Sequence, residues 1–157
     1  MKVALDLDAV LGDTRPLWEA WLEDAARRYR SIAPLDPSEL SKDRGEAAEQ
    51  LDRWAEGGVG DWHGSLERFT EDHAPLFLRP DPDANAALRR LQSRGDTIGA
   101  FTDAPEPLGR LALAQLGAGR RLEVAEFGAG ARERVLEALG EGSVVVASRD
   151  ELLALPL

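Results

Sequence analysis

Two carboxylates one residue apart, Asp6 and Asp8, close the aliphatic run KVALDL at residues 2–7. Charged groups at the end of a buried strand are costly unless a cation or a proton compensates them, which makes the pair a candidate site. If the strand stays regular, its period of two sends both carboxylates to one side, where one could attack an electrophile while the other handles its proton. The plain alternative is a strand end carrying two solvated acids. A second apolar run, TIGAFT at 97–102, ends in the hydroxyl of Thr102. In a parallel α/β sheet, ligands bind at the carboxyl ends of strands beside the point where strand order reverses, so Asp6, Asp8 and Thr102 would share one edge. Asp103 follows directly and either assists that site or starts a turn with Pro105.

Other chemistries are absent. The 157 residues include no cysteine, which removes disulfides, thiolate catalysis and Cys-based metal centres. His63 and His73 lack the spacing of a metal pair and read as packing residues. A formal charge of −10, with scattered Lys and Arg, speaks against nucleic acid and anionic membrane as partners. No apolar run is long enough to cross a bilayer. The N-terminus enters a strand at Lys2 without a secretory pattern, and the expected location is cytoplasmic.

The elements that must position these residues follow from periodicity. Lys2–Leu7 is a strand buried on both faces. Thr14 and Pro16 start an amphipathic helix through Leu17, Trp18, Trp21, Leu22 and Ala25 to about Arg30. Asp36-Pro37-Ser38-Glu39 opens a second helical stretch that runs past Leu51 to Gly57-Gly58, with Gly45 as a candidate break. A third, shorter helix carries Leu66, Phe69 and His73 and is expected to stop before Pro75. Residues 15–78 thus form an all-helical block, in which Trp18, Trp21, Trp54 and Trp62 read as packing residues.

Beyond Arg79 helix and strand alternate: a helix from Asp81-Pro82 to Gly95, the strand 97–102, a helix through Leu108 and Leu116 stopped by Gly117, and a weak strand at 122–125. A helix at 131–139, a strand at 143–147 and a final helical turn at 151–155 complete the series. The alternation predicts an α/β fold with a three-layer, Rossmann-like parallel sheet core, formed by 1–14 and 79–157, and a helical insert at 15–78.

The nine residues DLDAVLGDT at 6–14 resemble the first motif of the haloacid dehalogenase superfamily, and TIGAFT resembles its second. The resemblance extends over most of the chain. It implies that Asp6 is the nucleophile, Asp8 the general acid and base, Thr102 a phosphate ligand and 15–78 a cap over the site. It also implies a lysine, less often arginine, near the start of the helix before the last core strand. No lysine occurs there; Arg132 and Arg134 are the candidates, with Arg132 better spaced. The fourth family motif expects an acid directly after the last strand to complete a magnesium shell, and this chain has Ala147-Ser148-Arg149-Asp150. The implied Mg2+ set is then Asp6, Asp8 and Asp150, with Ser148 a weaker ligand; Asp150 as a plain helix N-terminal acid is the alternative.

The resemblance implies a magnesium-dependent phosphatase that hydrolyses a small phosphorylated metabolite through an aspartyl-phosphate on Asp6. The alternative is a weakly catalytic phosphate-binding or regulatory protein with eroded third and fourth motifs. A phosphoacceptor receiver domain fits less well, because the helical insert follows the first acids directly. The chain stops soon after its last strand, so an open sheet edge could pair with a partner chain, including a second copy in a homodimer.

Overall fold

A computed structural model describes residues 1–156. Four parallel strands form one sheet in the order β3-β2-β1-β4: β1 is Lys2–Asp6, β2 Thr97–Thr102, β3 Val124–Phe127 and β4 Ser143–Val146. β1 takes an inner position, flanked by β2 with Val3 opposite Ile98 and by β4 with Val3 opposite Val144. Strand order reverses at β1, and Asp6 closes it at the carboxyl edge, where such sheets bind ligands.

The sheet is sandwiched between helices. On one face, Ala4 and Phe101 pack with Ala131, Val135 and Leu139 of α7 (Ala131–Leu139). On the other, Val3, Leu5, Ile98 and Ala100 pack with Leu88 of α5 (Pro82–Ser93), Leu108 of α6 (Glu106–Leu116) and Leu152 of α8 (Arg149–Leu153). Gly99 lets α7 lie close to the sheet, because a Cβ there would stand 2.8 Å from both Val124 and Val135. This is the expected three-layer α/β arrangement.

Between β1 and α5 every regular element is helical: α1 (Leu7–Val10), α2 (Arg15–Arg28), a 3₁₀ turn at Pro37–Glu39, α3 (Arg44–Ala55) and α4 (Trp62–Phe77). Trp18, Trp21 and Trp62 form an aromatic cluster with ring centroids 5.5, 5.7 and 6.5 Å apart, and the Trp21 indole donates to Ser65 Oγ at 3.2 Å. α4 packs on α6, so Trp21 and Leu66 share one continuous core with Leu88 and Leu108. His63 stacks on Trp62 and His73 on Phe69.

β3 starts two residues later than expected and α8 two residues earlier, and three expectations before α5 change as well. The strand does not run on through Leu7: the chain turns helical there, with the Leu7 carbonyl accepting from the N–H groups of Leu11 and Gly12, so Asp8 sits on a helical turn. The helical stretch opened at Asp36 stops at Leu40, whose extended backbone (ψ 148°) leads to a fresh start capped by Asp43. Pro75 lies inside α4 rather than beyond it; its missing N–H would have met the carbonyl of exposed Glu71, which water can serve.

Candidate functional site

The carboxyl ends of β1 and β2 open into a cavity of about 450 Å³ lined by Asp6, Asp8, Arg15, Lys42, Arg44, Thr102, Asp103 and Arg132, among others. Asp6 is the last residue of β1, and Asp8 stands one turn on, at the head of α1. The break into α1 keeps Asp6 and Asp8 around one cavity by a tight turn rather than by strand alternation.

Asp8 is bonded at both carboxylate oxygens. Its Oδ1 accepts the backbone N–H of Thr14 at 2.8 Å and the Thr14 hydroxyl at 2.5 Å. Its Oδ2 accepts Arg44 Nη2 at 2.8 Å and the Thr102 hydroxyl at 2.7 Å. Four donors fill both oxygens, as suits an acceptor-only carboxylate. Thr102, 2% exposed, in turn accepts from the backbone N–H of Ala104 at 3.1 Å and from Arg44 at 3.3 Å.

Asp6 has a different environment. Among the described residues it forms no ion pair, and burial pushes its pKa above the ordinary 3.8. The Asp8 carboxylate pushes the same way, while the backbone N–H groups of Ala9 and Asp8 and the more distant Arg15 pull against it. A partly buried carboxylate beside a second acid is a candidate nucleophile or cation ligand.

Arg44 escaped the sequence reading. The first residue of α3, it is 3% exposed, and its guanidinium reaches Asp8, Asp103, Thr14 and Thr102. Asp103 accepts both its backbone N–H, at 3.1 Å, and its Nε, at 2.9 Å. The only sequence signal was Asp43-Arg44-Gly45 at a helix start, a pattern shared with many solvated arginines.

Of the two candidate arginines in the helix before the last core strand, Arg132 lines the cavity from the exposed first turn of α7. Arg134 instead donates at 2.6 Å to the carbonyls of Ala129 and Phe127 and braces the loop before α7. Asp150, expected as a third metal carboxylate, does not line the cavity. It lies exposed in the first turn of α8, whose N-terminus is capped by Ser148 accepting from Glu151 N–H. The cap gives Ser148 and Asp150 ordinary helix-end roles. Among the described residues no three His, Cys, Asp or Glu side chains converge as a metal shell. Magnesium does not require one, since it keeps waters and is commonly held by one or two carboxylates together with substrate phosphate. Asp6, with no ion pair among the described residues, is a carboxylate of that kind on the cavity wall.

Among the described residues no helix is long and apolar enough to cross a membrane. The chain matches no family model. It is 31% identical over 130 residues to a phosphoglycolate phosphatase of Neisseria meningitidis serogroup A, across 73% of this chain and 53% of that protein, so it spans about half the relative's length. A crystal structure provisionally described as a beta-phosphoglucomutase, from Thermotoga maritima, superposes with a TM-score of 0.56 at 21% identity, covering 92% of this chain and 74% of that one. The first bears the name of a phosphatase and the second the provisional name of a phosphomutase, and the second shares the fold described above. With Asp6-Leu7-Asp8 and Thr102 at adjacent strand ends of that fold, the chain belongs to the haloacid dehalogenase superfamily.

Proposed function

We propose that this protein is a metal-assisted phosphomonoester hydrolase with Asp6 as nucleophile. The observation that carries the reading is the juxtaposition of an unpaired, desolvated Asp6 with a fully bonded Asp8 and the Thr102 hydroxyl, around one cavity at the carboxyl edge of the sheet.

The Asp6 carboxylate attacks phosphorus in line; an O–P bond forms to Asp6 as the ester P–O bond breaks, and protonated Asp8 hands its proton to the leaving alkoxide. Asp8, now a carboxylate, takes a proton from the water that attacks the aspartyl-phosphate, releasing phosphate and restoring Asp6. Thr102 swings its hydroxyl from Asp8 to a phosphoryl oxygen, and Arg132 adds charge at the mouth of the cavity. A magnesium ion held by Asp6 and the Asp8 carbonyl would neutralise phosphoryl charge and let one anion approach another. The helical elements 15–78 serve as the cap, excluding water over the site and setting the leaving group. The substrate class is a small phosphorylated metabolite, in keeping with the phosphoglycolate phosphatase likeness, and the expected setting is cytoplasmic.

The placement of Asp150 outside the cavity favours a second reading, a phosphate-binding relative with little turnover. Hydrolysis of an aryl phosphate with and without magnesium, comparing the protein with Asp6→Asn, separates the two. Metal-dependent turnover lost in the variant supports the hydrolase; turnover equal to the variant's background leaves the binding protein.

A further inference from the structure

We propose that Arg44 is the phosphate-binding cation of this site, supplied by the helical insert in place of the core cation that the superfamily resemblance leads one to expect beside α7. The inference rests on the phosphate-site reading above but not on turnover.

The cations that line the cavity are Arg15, Lys42, Arg44 and Arg132. Arg15 is engaged in a bidentate pair with Asp13, at 2.8 and 3.0 Å. Lys42 and Arg132 are exposed, so their charges act through solvent. Arg134 is spent on backbone carbonyls. Arg44 alone of these is buried, and its Nη2 lies 2.8 Å from Asp8 Oδ2 and 3.3 Å from the Thr102 hydroxyl, the group that turns to a phosphoryl oxygen in the reading above.

Its position is fixed from behind. Asp103 holds both its backbone N–H and its Nε, and Asp43 caps the same turn by accepting from Gly45 and Glu46 N–H. Gly45 lets that turn press on the loop before α7: a Cβ there would stand 2.8 Å from Ala129 Cβ and 2.9 Å from its Cα. The residue beside Arg44 therefore abuts the segment in which no lysine occurs and whose Arg132 is exposed.

The arrangement also gives Arg44 two stations. Without phosphate, Nη2 bridges Asp8 and Asp103, both at 2.8 Å. With phosphate, the Asp103 contact keeps the side chain in place while the Asp8 contact passes to a phosphoryl oxygen, which frees Asp8 Oδ2 to carry the proton that the leaving group needs. A brace that served only to hold α3 to the sheet would be satisfied by Asp103 and would not need to lie on Thr102.

Calorimetric titration of the intact chain with inorganic phosphate tests this, comparing wild type with Arg44→Ala, Arg44→Lys and Arg132→Ala. Loss of one charge-assisted contact is expected to weaken phosphate about 10- to 100-fold in Arg44→Ala. Arg132→Ala should lose less, and low concentrations of guanidinium should restore binding to Arg44→Ala only. Arg44→Lys keeps a counter-charge between Asp8 and Asp103, so it stays folded if the alanine variant does not; it should still bind phosphate more weakly, because an ammonium lacks the planar fork. Phosphate affinity unchanged in Arg44→Lys and lower in Arg132→Ala would overturn the proposal, as would a wild type that binds no phosphate. A wild type that binds phosphate through Arg44 without Asp6-dependent turnover would sink the hydrolase reading and leave this one standing.

Discussion

Gly45→Ala tests whether the contact between α3 and the loop before α7 is as tight as the structure draws it. The new methyl would lie 2.8 Å from Ala129 Cβ, 2.9 Å from its Cα and 3.1 Å from its N, where ordinary contacts begin near 3.4 Å. Two of these atoms are backbone, so neither side can yield by turning a side chain, and one wall must retreat by about half an ångström. Overpacking of this kind costs about 1–3 kcal/mol. Alanine recovers up to about 1 kcal/mol of helix propensity, less in a first turn, so the net loss is about 1–2 kcal/mol. For a chain of this size that is a fall in Tm of about 2–8 °C. Gly119→Ala is the matched control: its Cβ meets nothing within 4 Å and its φ is ordinary, so the same change should stabilise by about 0.4–1 kcal/mol. Because Arg44 shares the displaced turn, phosphate affinity should drop in Gly45→Ala and hold in Gly119→Ala. Thermal melting and phosphate titration of both variants decide the matter. If Gly45→Ala melts at or above the wild type and binds phosphate equally well, the contact does not position Arg44.

Burial raises the Asp6 pKa above 3.8, so the folded state holds that proton more firmly than the unfolded chain and loses stability as pH rises through the raised value. Asp6→Asn, which cannot ionise, should therefore melt higher than wild type at pH 7 without divalent cations, with the advantage gone well below pH 3.8; an equal or lower Tm at pH 7 contradicts this. Asp81 caps α5 and pairs with Arg149 of α8, which holds its pKa below 3.8. Asp81→Ala should cost about 0.5–2 kcal/mol at pH 7. That deficit should close as acid takes the wild type through the lowered folded value, and a gap independent of pH would show that the carboxylate charge plays no part. Asp150→Ala should leave metal-dependent turnover within about threefold of wild type, since Asp150 is an exposed helix-end acid; a loss as deep as that of Asp6→Asn would return Asp150 to the metal site.

The sheet was legible because β1, β2 and β4 are short apolar runs, the first two closed by a polar residue, and because Gly95 and Gly117 end helices where positive φ is needed; β3, with Glu126 inside it, lies two residues later than its weak signal. Asp6, Asp8 and Thr102 were legible for the same reason: a polar group at the end of a buried run has one natural place to go. What the pattern could not give was the conformation just past the run. Leu7 is apolar enough to extend β1, and only the helical turn closed on its carbonyl moves Asp8 off the strand. Nor could periodicity place the start of α3, where the cap at Asp43 wins over the Asp36-Pro37 signal because Leu40 is held extended. Arg44 was invisible because its burial depends on Asp103, fifty-nine positions away, and on a glycine contact with a third segment.

These distances in sequence bear on how the site is assembled. Asp6, Asp8 and Asp103 bring three carboxylates to one sheet edge, and the buried guanidinium that answers them enters from α3, outside the sheet. A cation on a core helix would balance those acids whatever the insert did. Here the balance depends on α3 being seated, because the Asp103 clamp, the Asp43 cap and the Gly45 contact together hold the turn from which the fork reaches Asp8. Acids held close together without their counter-charge repel, so seating of α3 is coupled electrostatically to ionisation of the site. Weakening the α3 seat should then loosen phosphate binding in the same variants that lose stability, whereas substitutions in the Trp18–Trp21–Trp62 cluster that leave α3 seated should lower stability with little change in phosphate affinity.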